Sequence, residues 1–132
     1  MAVLLAIDSS GLVQRVLRAI IGNDPENEIS AEERIARSVS SACQQVDGML
    51  DRFSPSAAFA AFDRPDAWTW RHDLYAAYKS TRSPAPAERT PAMRRFWREM
   101  QARGITPVIS TTAEADDLIG HGVTEWVAGG GT

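Results

Sequence analysis

The chain contains three short runs of apolar residues. Longer stretches separate them, and in these the apolar residues recur with the spacing of a helix. The runs are Val3–Ile7, Ala57–Phe62 and Ile105–Ile109. Each run predicts a strand, and the first, which is continuously apolar, is typical of a strand buried on both faces. Pro107 interrupts the third run, and because proline cannot donate a ladder hydrogen bond, we expect that strand near a sheet edge.

The segment between the first two strands predicts two helices. Leu12, Val16 and Ile20 form a short apolar stripe, which indicates a helix over 12–21 that follows a turn at Ser9–Gly11. A Gly-Asn-Asp-Pro stretch then breaks the pattern. The chain continues as a polar loop into the second helix.

The second helix is predicted to begin at Ser30, because Ser30 and Glu33 have the spacing of a capping box. Apolar residues from Ile35 to Phe53 then recur every three or four positions, which is the stripe of one buried face. Cys43 lies on that stripe, so we interpret it as a small core residue rather than a nucleophile.

Two more helices flank the third strand. Pro91 suits the first position of one helix and Gly104 the residue just past its end. Thr111 and Glu114 form a second capping-box pattern, which predicts a helix that continues through Trp126. Alternating strands and helices over 132 residues indicate one α/β domain, with a Rossmann-like parallel sheet between helices.

Charge is distributed unevenly along the chain. The net charge of −3 combines −4 over residues 1–63, +5 over 64–103 and −4 over 104–132. All but one of the cations are arginine, which can hold a phosphate with two parallel hydrogen bonds. From composition alone, this basic block is either an anion-binding surface or a set of solvated helix faces.

Acidic residues follow each predicted strand. The carboxyl ends of parallel strands form the usual ligand-binding edge of an open α/β sheet, so these side chains should crowd one edge. Carboxylates without histidine or cysteine suit Mg²⁺ or Mn²⁺. Each acid also has a structural reading, since Asp8 could cap a helix and Glu114 could complete a capping box. The candidate metal and catalytic residues are Asp8, Asp63, Glu114, Asp116 and Asp117.

A polar, aromatic and arginine-rich insert follows the second strand, at about 64–90. Arg71, Lys79 and Arg82 could hold a phosphate beside a metal site, and its tryptophans and tyrosines could stack on bases. Packing of the insert against the body is the alternative for each aromatic residue. Acids and cations in this arrangement are those that phosphodiester hydrolysis requires.

Three strings of residues resemble a known family: AIDSSGLVQRVLRA, AAFDRPDAWTWRHDLYAAYKSTRSPAPAE and GITPVISTTAEADDLIG. They are similar to the N-terminal half of the 5′-nuclease (flap endonuclease) domain. That domain is attached to bacterial DNA polymerase I and also occurs in small stand-alone bacterial and phage exonucleases. The resemblance extends over nearly the whole chain and is weakest between Gly22 and Phe53.

The resemblance implies a PIN-like fold and divalent-metal-dependent cleavage of DNA at or near a 5′ end or 5′ flap. It implies metal-site roles for the five acids. It also assigns Arg71, Lys79 and Arg82 to a helical arch over the 5′ strand, and matches Arg15 to a family arginine after the first aspartate. Ser9 stands where the family commonly has glycine, which matters only if the backbone there needs a positive φ.

The family continues into a fourth strand with further aspartates and a duplex-binding element. We therefore expect this chain to be the N-terminal part of such a nuclease, to bind one metal weakly and to cleave poorly alone. Two alternatives remain open: a non-catalytic DNA- or partner-binding module, and a PIN-domain ribonuclease. A haloacid-type phosphatase is excluded, because Ser10 stands where its second aspartate would be.

Composition sets the remaining expectations. No apolar run is long enough for a membrane helix, no signal peptide is evident, and the single cysteine favours the reducing cytoplasm. A sheet that stops after three strands leaves an edge that can pair with another chain, so we also expect a possible homodimer.

Overall fold

The computed structural model describes residues 2–63, 85–110 and 113–131. The predicted arch residues Arg71, Lys79 and Arg82 lie outside the described residues, as does Thr111. The elements are β1 (Leu4–Asp8), α1 (Ser9–Gly22), α2 (Ala31–Phe53), β2 (Ala57–Phe62), α3 (Arg89–Ala102), β3 (Thr106–Ile109) and α4 (Ala115–Ala128).

The three strands form a parallel sheet in the order β1-β2-β3. Ile7 lies opposite Ala60, and Phe62 lies opposite Ile109. The predicted α/β class and all three strands are therefore confirmed. β3 is an edge strand of this sheet and tolerates Pro107, as the missing backbone donor led us to expect.

Helices cover the two faces of the sheet unequally. α1, α2 and α3 pack against one another, whereas α4 contacts mainly the strands, above all β1. Alternation along β2 separates the two sides, since Phe62 packs on Phe96 of α3 while Phe59 lies against Gly122 of α4. Of the helices within the described ranges, three thus lie on one face and one lies on the other.

The core lies under the three-helix face. Val13, Val46, Phe96 and Met100 are fully buried, and they belong to one cluster with residues of β1 and β2. Cys43 is part of the same cluster, and burial raises the pKa of its thiol. Its predicted core role is confirmed.

The predicted turn at Ser9–Gly11 is wrong. These residues form the first turn of α1, which begins directly after β1 with Asp8 as its N-cap. The Asp8 carboxylate accepts a hydrogen bond from the N–H of Gly11 and satisfies one of the four free donors of the first turn. This bond replaces the turn that the Ser-Ser-Gly sequence suggested.

The expectation that β1 is buried on both faces is also wrong. Ile7 is buried, but Leu4, Leu5 and Ala6 are only partly so. β1 is an edge strand of the described sheet, and α4 is the one described helix that covers one of its faces. Apolar residues favour burial, but a strand at the edge of a sheet is only partly covered by its neighbours.

Two helix ends follow their sequence signals closely. The hydroxyl of Ser30 accepts a hydrogen bond from the N–H of Glu33 at 3.1 Å, which confirms the predicted start of α2. Gly104 has a φ of +74° and directly follows the C-cap of α3. The N–H of Ile105 donates to the carbonyl of Met100 at 2.9 Å, so the end is a Schellman motif. β3 consequently begins at Thr106 rather than Ile105.

Two predicted helix starts are displaced. α3 begins at Arg89, so Pro91 is its third residue rather than its first, and the insert ends at 88 rather than 90. α4 begins at Ala115 with Glu114 as its N-cap, so the predicted box between Thr111 and Glu114 is wrong. The partner of Glu114 is Asp117, three residues further along the chain.

A polar cluster at the α1–α2 loop escaped the sequence analysis. Buried Asp24 accepts hydrogen bonds from the N–H groups of Glu28 and Ile29 and from Arg34, each at 2.9 Å. Hydrogen bonding to Arg34 is the main reason that the pKa of Asp24 is lowered. In the described ranges, no helix is long and apolar enough to span a membrane.

Substitution of two glycines can distinguish the effect of backbone strain from that of limited space for a side chain. A Cβ atom would meet nothing within 4 Å at either Gly104 or Gly48, but only Gly104 has a positive φ. We expect Gly104→Ala to lower the free energy of unfolding by about 1 kcal/mol, because a left-handed conformation is costly for alanine. Gly48→Ala lies within α2 and should raise it by about 0.5 to 1 kcal/mol.

Urea denaturation of both variants and the parent protein measures these changes. A Gly104→Ala protein as stable as the parent would contradict the role of the Schellman motif. Equal losses in the two variants would indicate steric conflict rather than backbone strain.

Candidate functional site

Asp8 occupies the end of β1, at the carboxyl edge of the sheet. Its carboxylate folds back over the first turn of α1, where Oδ1 accepts the hydrogen bond from the N–H of Gly11 at 3.0 Å. A Cβ atom at Gly11 would collide with the Asp8 carboxylate. A larger residue at this position would therefore displace the Asp8 carboxylate, which occupies the space that its side chain would take.

Asp63 follows β2 and connects three segments of the chain. Its backbone N–H donates to the hydroxyl of Ser10 at 2.8 Å, which ties the end of β2 to the start of α1. Its Oδ1 accepts a hydrogen bond from the N–H of Ala115 at 2.5 Å, which ties it to the first residue of α4. One of the free N–H groups at that helix end is thereby satisfied.

The carboxylates of Asp8, Asp63 and Asp116 are electrostatically coupled. The pKa of Asp8 is raised above its ordinary value, mainly because its carboxyl is partly removed from water. The negative charges of Asp116 and Asp63 raise it further, while the Gly11 hydrogen bond and the charge of Arg15 lower it. The charges of Asp63, which follows β2, and of Asp116, in the first turn of α4, thus act on Asp8 at the end of β1.

Glu114 and Asp117 reach the same edge but interact with each other. Asp117 Oδ2 accepts a hydrogen bond from the N–H of Glu114 at 3.1 Å, and Glu114 is buried at the N-cap of α4. Asp116 is exposed, whereas Glu114 is buried and Asp117 is partly buried. The capping interpretation of Glu114 therefore holds, although with a different partner from the predicted one.

The donor atoms at this edge suit a hard divalent cation. They are all carboxylate oxygens, and a cation would relieve the repulsion that raises the pKa of Asp8. Within residues 2–63, 85–110 and 113–131, no three histidine, cysteine or acidic side chains form a group that could hold a metal ion. Mg²⁺ nevertheless needs only one or two carboxylates, with water completing its coordination. The residues fit such an ion in chemistry, and the metal role of the five acids remains a prediction.

Ser9 and Ser10 were not predicted as site residues, yet both are buried beside Asp8. Ser10 positions the backbone of Asp63, whereas the hydroxyl of Ser9 has no hydrogen-bond partner among the residues that the structure describes. Ser9 has no positive φ, so the glycine common in the family is not required there for backbone reasons. No periodicity marks Ser10, because its role depends on a contact with a residue 53 positions away.

Of the four predicted phosphate-binding residues, Arg15 lies within the described part of the chain. It is exposed on α1, two turns from Asp8, and close enough for its charge to act on that carboxyl. A cation here is placed to attract a phosphate to the acidic edge. Its role in DNA binding remains a prediction.

The arginines of α3 fall into two groups. Arg95 pairs with Glu32 at 2.6 Å, and Arg103 binds Asp47 at 2.7 Å, so both join α3 to α2. Arg94 and Arg98 are exposed and line a cleft beside Asp63. Some arginines of the basic block therefore stabilise the packing of α3 on α2, and others are exposed at the surface.

Comparison with known proteins assigns the chain to a family. Residues 3–131 match the family model described as "5′-3′ exonuclease, N-terminal resolvase-like domain". The chain belongs to this family. The match covers all the described elements, and it confirms the resemblance and the PIN-like fold that the sequence analysis inferred.

Several curated relatives bear the name flap endonuclease Xni. The protein from Tolumonas auensis is 30% identical over 128 residues, which is 97% of this chain and 48% of the relative. Those from Serratia proteamaculans and Shewanella loihica are 31% and 33% identical, over 97% and 87% of this chain and 45% and 41% of the relatives. The chain thus spans under half the length of these nucleases.

The raised pKa of Asp8 has a testable consequence for stability. A carboxyl with a raised pKa in the folded state favours folding while it is protonated, and this contribution is lost as pH rises through the folded-state pKa. Asp8→Asn keeps a capping side chain but removes the charge. Without divalent metal, we expect the variant to unfold at a higher urea concentration than the parent at pH 7, with an unchanged m-value.

The advantage of Asp8→Asn should shrink as pH falls and vanish below the ordinary aspartate pKa of 3.8. Asp51→Asn, at an exposed position near the end of α2, is the matched control and should show no such trend. A parent protein more stable than Asp8→Asn at pH 7 in EDTA would contradict the charge repulsion described above.

Proposed function

We propose that this chain forms the metal-binding part of a 5′-nuclease that hydrolyses phosphodiester bonds of DNA near a 5′ end or a 5′ flap. The observation that carries the proposal is the placement of Asp8 and Asp63 at the ends of two paired strands, with Asp63 bound to the first turn of α4, which contains Asp116. It occurs in a member of a 5′-3′ exonuclease family whose relatives are named flap endonucleases.

In this proposal Asp8, Asp63, Glu114, Asp116 and Asp117 hold a divalent ion, one or two of them directly and the others through water. Mg²⁺ or Mn²⁺ fits the donor set, since these hard cations prefer carboxylate oxygens. When bound, such an ion supplies an activated water and stabilises the leaving oxygen. The overlapping metal and catalytic roles of the five acids follow from this arrangement.

The remaining residues position these acids and the DNA. Ser10 fixes the backbone of Asp63, and Gly11 leaves room for the Asp8 carboxylate. Arg15 and the insert residues Arg71, Lys79 and Arg82 hold phosphate oxygens, because a guanidinium or ammonium group neutralises the charge of the DNA backbone. Two of the five acids cap α4, so we expect the chain alone to bind one ion weakly and cleave slowly.

Metal binding and cleavage test the proposal together. We expect Mn²⁺ titration followed by electron paramagnetic resonance to show one weak site, which Asp63→Asn abolishes. A 5′-labelled flap DNA should yield a slow product that requires Mg²⁺ and is lost in the same variant. Asp51→Asn, at the opposite edge of the sheet, should retain both properties.

Each outcome has a defined meaning. A protein that binds no Mn²⁺ would contradict the metal site, and rapid cleavage by the chain alone would contradict the expected weak activity. Equal or faster cleavage of a matched RNA would favour a ribonuclease of the PIN class.

A second candidate is a non-catalytic module that binds DNA through its arginines. The pairing of Glu114 with Asp117 favours it, because carboxylates used in a helix cap are less free to ligate a metal. DNA binding with a steep dependence on salt, but without any metal-dependent product, would support this module over the nuclease.

We also propose that the chain associates with itself through a sheet edge. β1 and β3 are the outer strands of the described sheet, and an unpaired strand edge is a template for pairing with another chain. Multi-angle light scattering over a range of concentrations should show a growing dimer fraction. A monodisperse monomer at the highest concentration would contradict this proposal.

A further inference from the structure

A cleft of about 490 Å³ opens beside Asp63, between α3 and the ends of β2 and β3. Its volume falls within the range of ordinary small-molecule sites. The strands contribute Phe62, Asp63 and Ile109 to it. The contribution of α3 includes Met93, Arg94, Trp97 and Arg98.

Two stripes of α3 form the wall and the rim of the cleft. Met93 and Trp97 are four residues apart, as are Arg94 and Arg98, so each pair lies on one line along the helix. The Trp97 ring packs on Phe62, with centroids 4.8 Å apart, and is thereby held in place. An apolar aromatic wall thus lies beside two guanidinium groups.

The rim arginines differ from their neighbours. Arg95 and Arg103 are paired with acids of α2, and Arg89 donates to Gln14 at 3.2 Å. Arg94 and Arg98 are exposed, and no ion pair within the described part of the chain includes either of them. Their charge is therefore available to a ligand.

An exposed apolar side chain completes the cleft. Ile109 ends β3 and is 46% exposed, although most large apolar residues of the sheet are covered. It lines the same cleft as Trp97, and the two are contributed by different elements. Apolar surface opposite a cationic rim matches a ligand with one flat apolar part and one anionic part.

We infer that this cleft binds one nucleotide of single-stranded DNA, with its base against Trp97 and the phosphates on its 5′ and 3′ sides on Arg94 and Arg98. This rests on the proposed function for the class of substrate. Aromatic side chains and arginines together are the means by which proteins hold single strands without sequence preference. Asp63 at one end of the cleft places the bound nucleotide next to the acidic edge.

A free inorganic anion would use the arginines but leave the apolar wall without a function. A purely apolar ligand would leave two cations at the rim without partners. A nucleotide satisfies both halves of the cleft. The position of the cleft beside Asp63 also allows the strand to continue from it to the candidate metal site.

Binding of a fluorescein-labelled hexathymidylate, followed by anisotropy in EDTA, tests the inference. EDTA removes divalent metal, so a failure of the proposed catalysis leaves this measurement unaffected. We expect Arg94→Gln/Arg98→Gln to weaken binding at least tenfold. The slope of log K against log salt should fall by about 1.4, since each phosphate contact on a single strand contributes about 0.7.

Arg18→Gln/Arg52→Gln removes the same charge from exposed positions away from the cleft and should weaken binding less than threefold. A hexamer with abasic sites tests the apolar wall without altering the protein. We expect it to bind the parent chain at least fivefold more weakly than hexathymidylate, because base stacking is lost.

Equal losses in the two double variants would overturn the inference, since binding would then depend on overall charge. Equal affinity for the abasic and normal strands would overturn the base-binding wall. Absence of any binding of hexathymidylate to the parent protein would overturn the site altogether.

Discussion

The carboxyl edge of the sheet depends on two hydrogen bonds made by Asp63. Its N–H donates to Ser10 and its carboxylate accepts from Ala115, so one residue joins the start of α1, the end of β2 and the start of α4. Without these bonds, the segments that follow the strands would be free to diverge. This junction holds Asp63 between the start of α1, where Asp8 is the N-cap, and the first turn of α4, which contains Asp116.

Crowding of carboxylates opposes folding and favours cation binding. The pKa of Asp8 is raised by partial desolvation and by its acidic neighbours, which shows that the fold tolerates an unfavourable charge at this edge. The chain offsets part of this repulsion locally, through the Gly11 N–H and the charge of Arg15. The same free energy becomes available to a divalent ion, since neutralising clustered charge stabilises both the ion and the fold.

The sequence predicted those features of the fold that depend on contacts between residues close together in the chain. Ser30 and Gly104 mark helix ends because their hydrogen bonds involve residues three or four positions away, and β2 has the predicted bounds. Ser10 gave no comparable signal, because its partner lies on another strand end. The start of α4 was misplaced because two overlapping capping patterns share Glu114, and spacing alone does not say which residue caps.

The unequal cover of the sheet divides the molecule into parts of different stability. The core cluster belongs to the strands and the three-helix face, whereas Ala115 is the one fully buried residue of α4. Elements with little buried apolar surface open before the global core does. Asp8 and Asp63 therefore adjoin the core strands, while Asp116 belongs to the helix with the fewest buried residues among those described. Assembly of the acidic edge is then a docking equilibrium of α4, separate from the folding of the core.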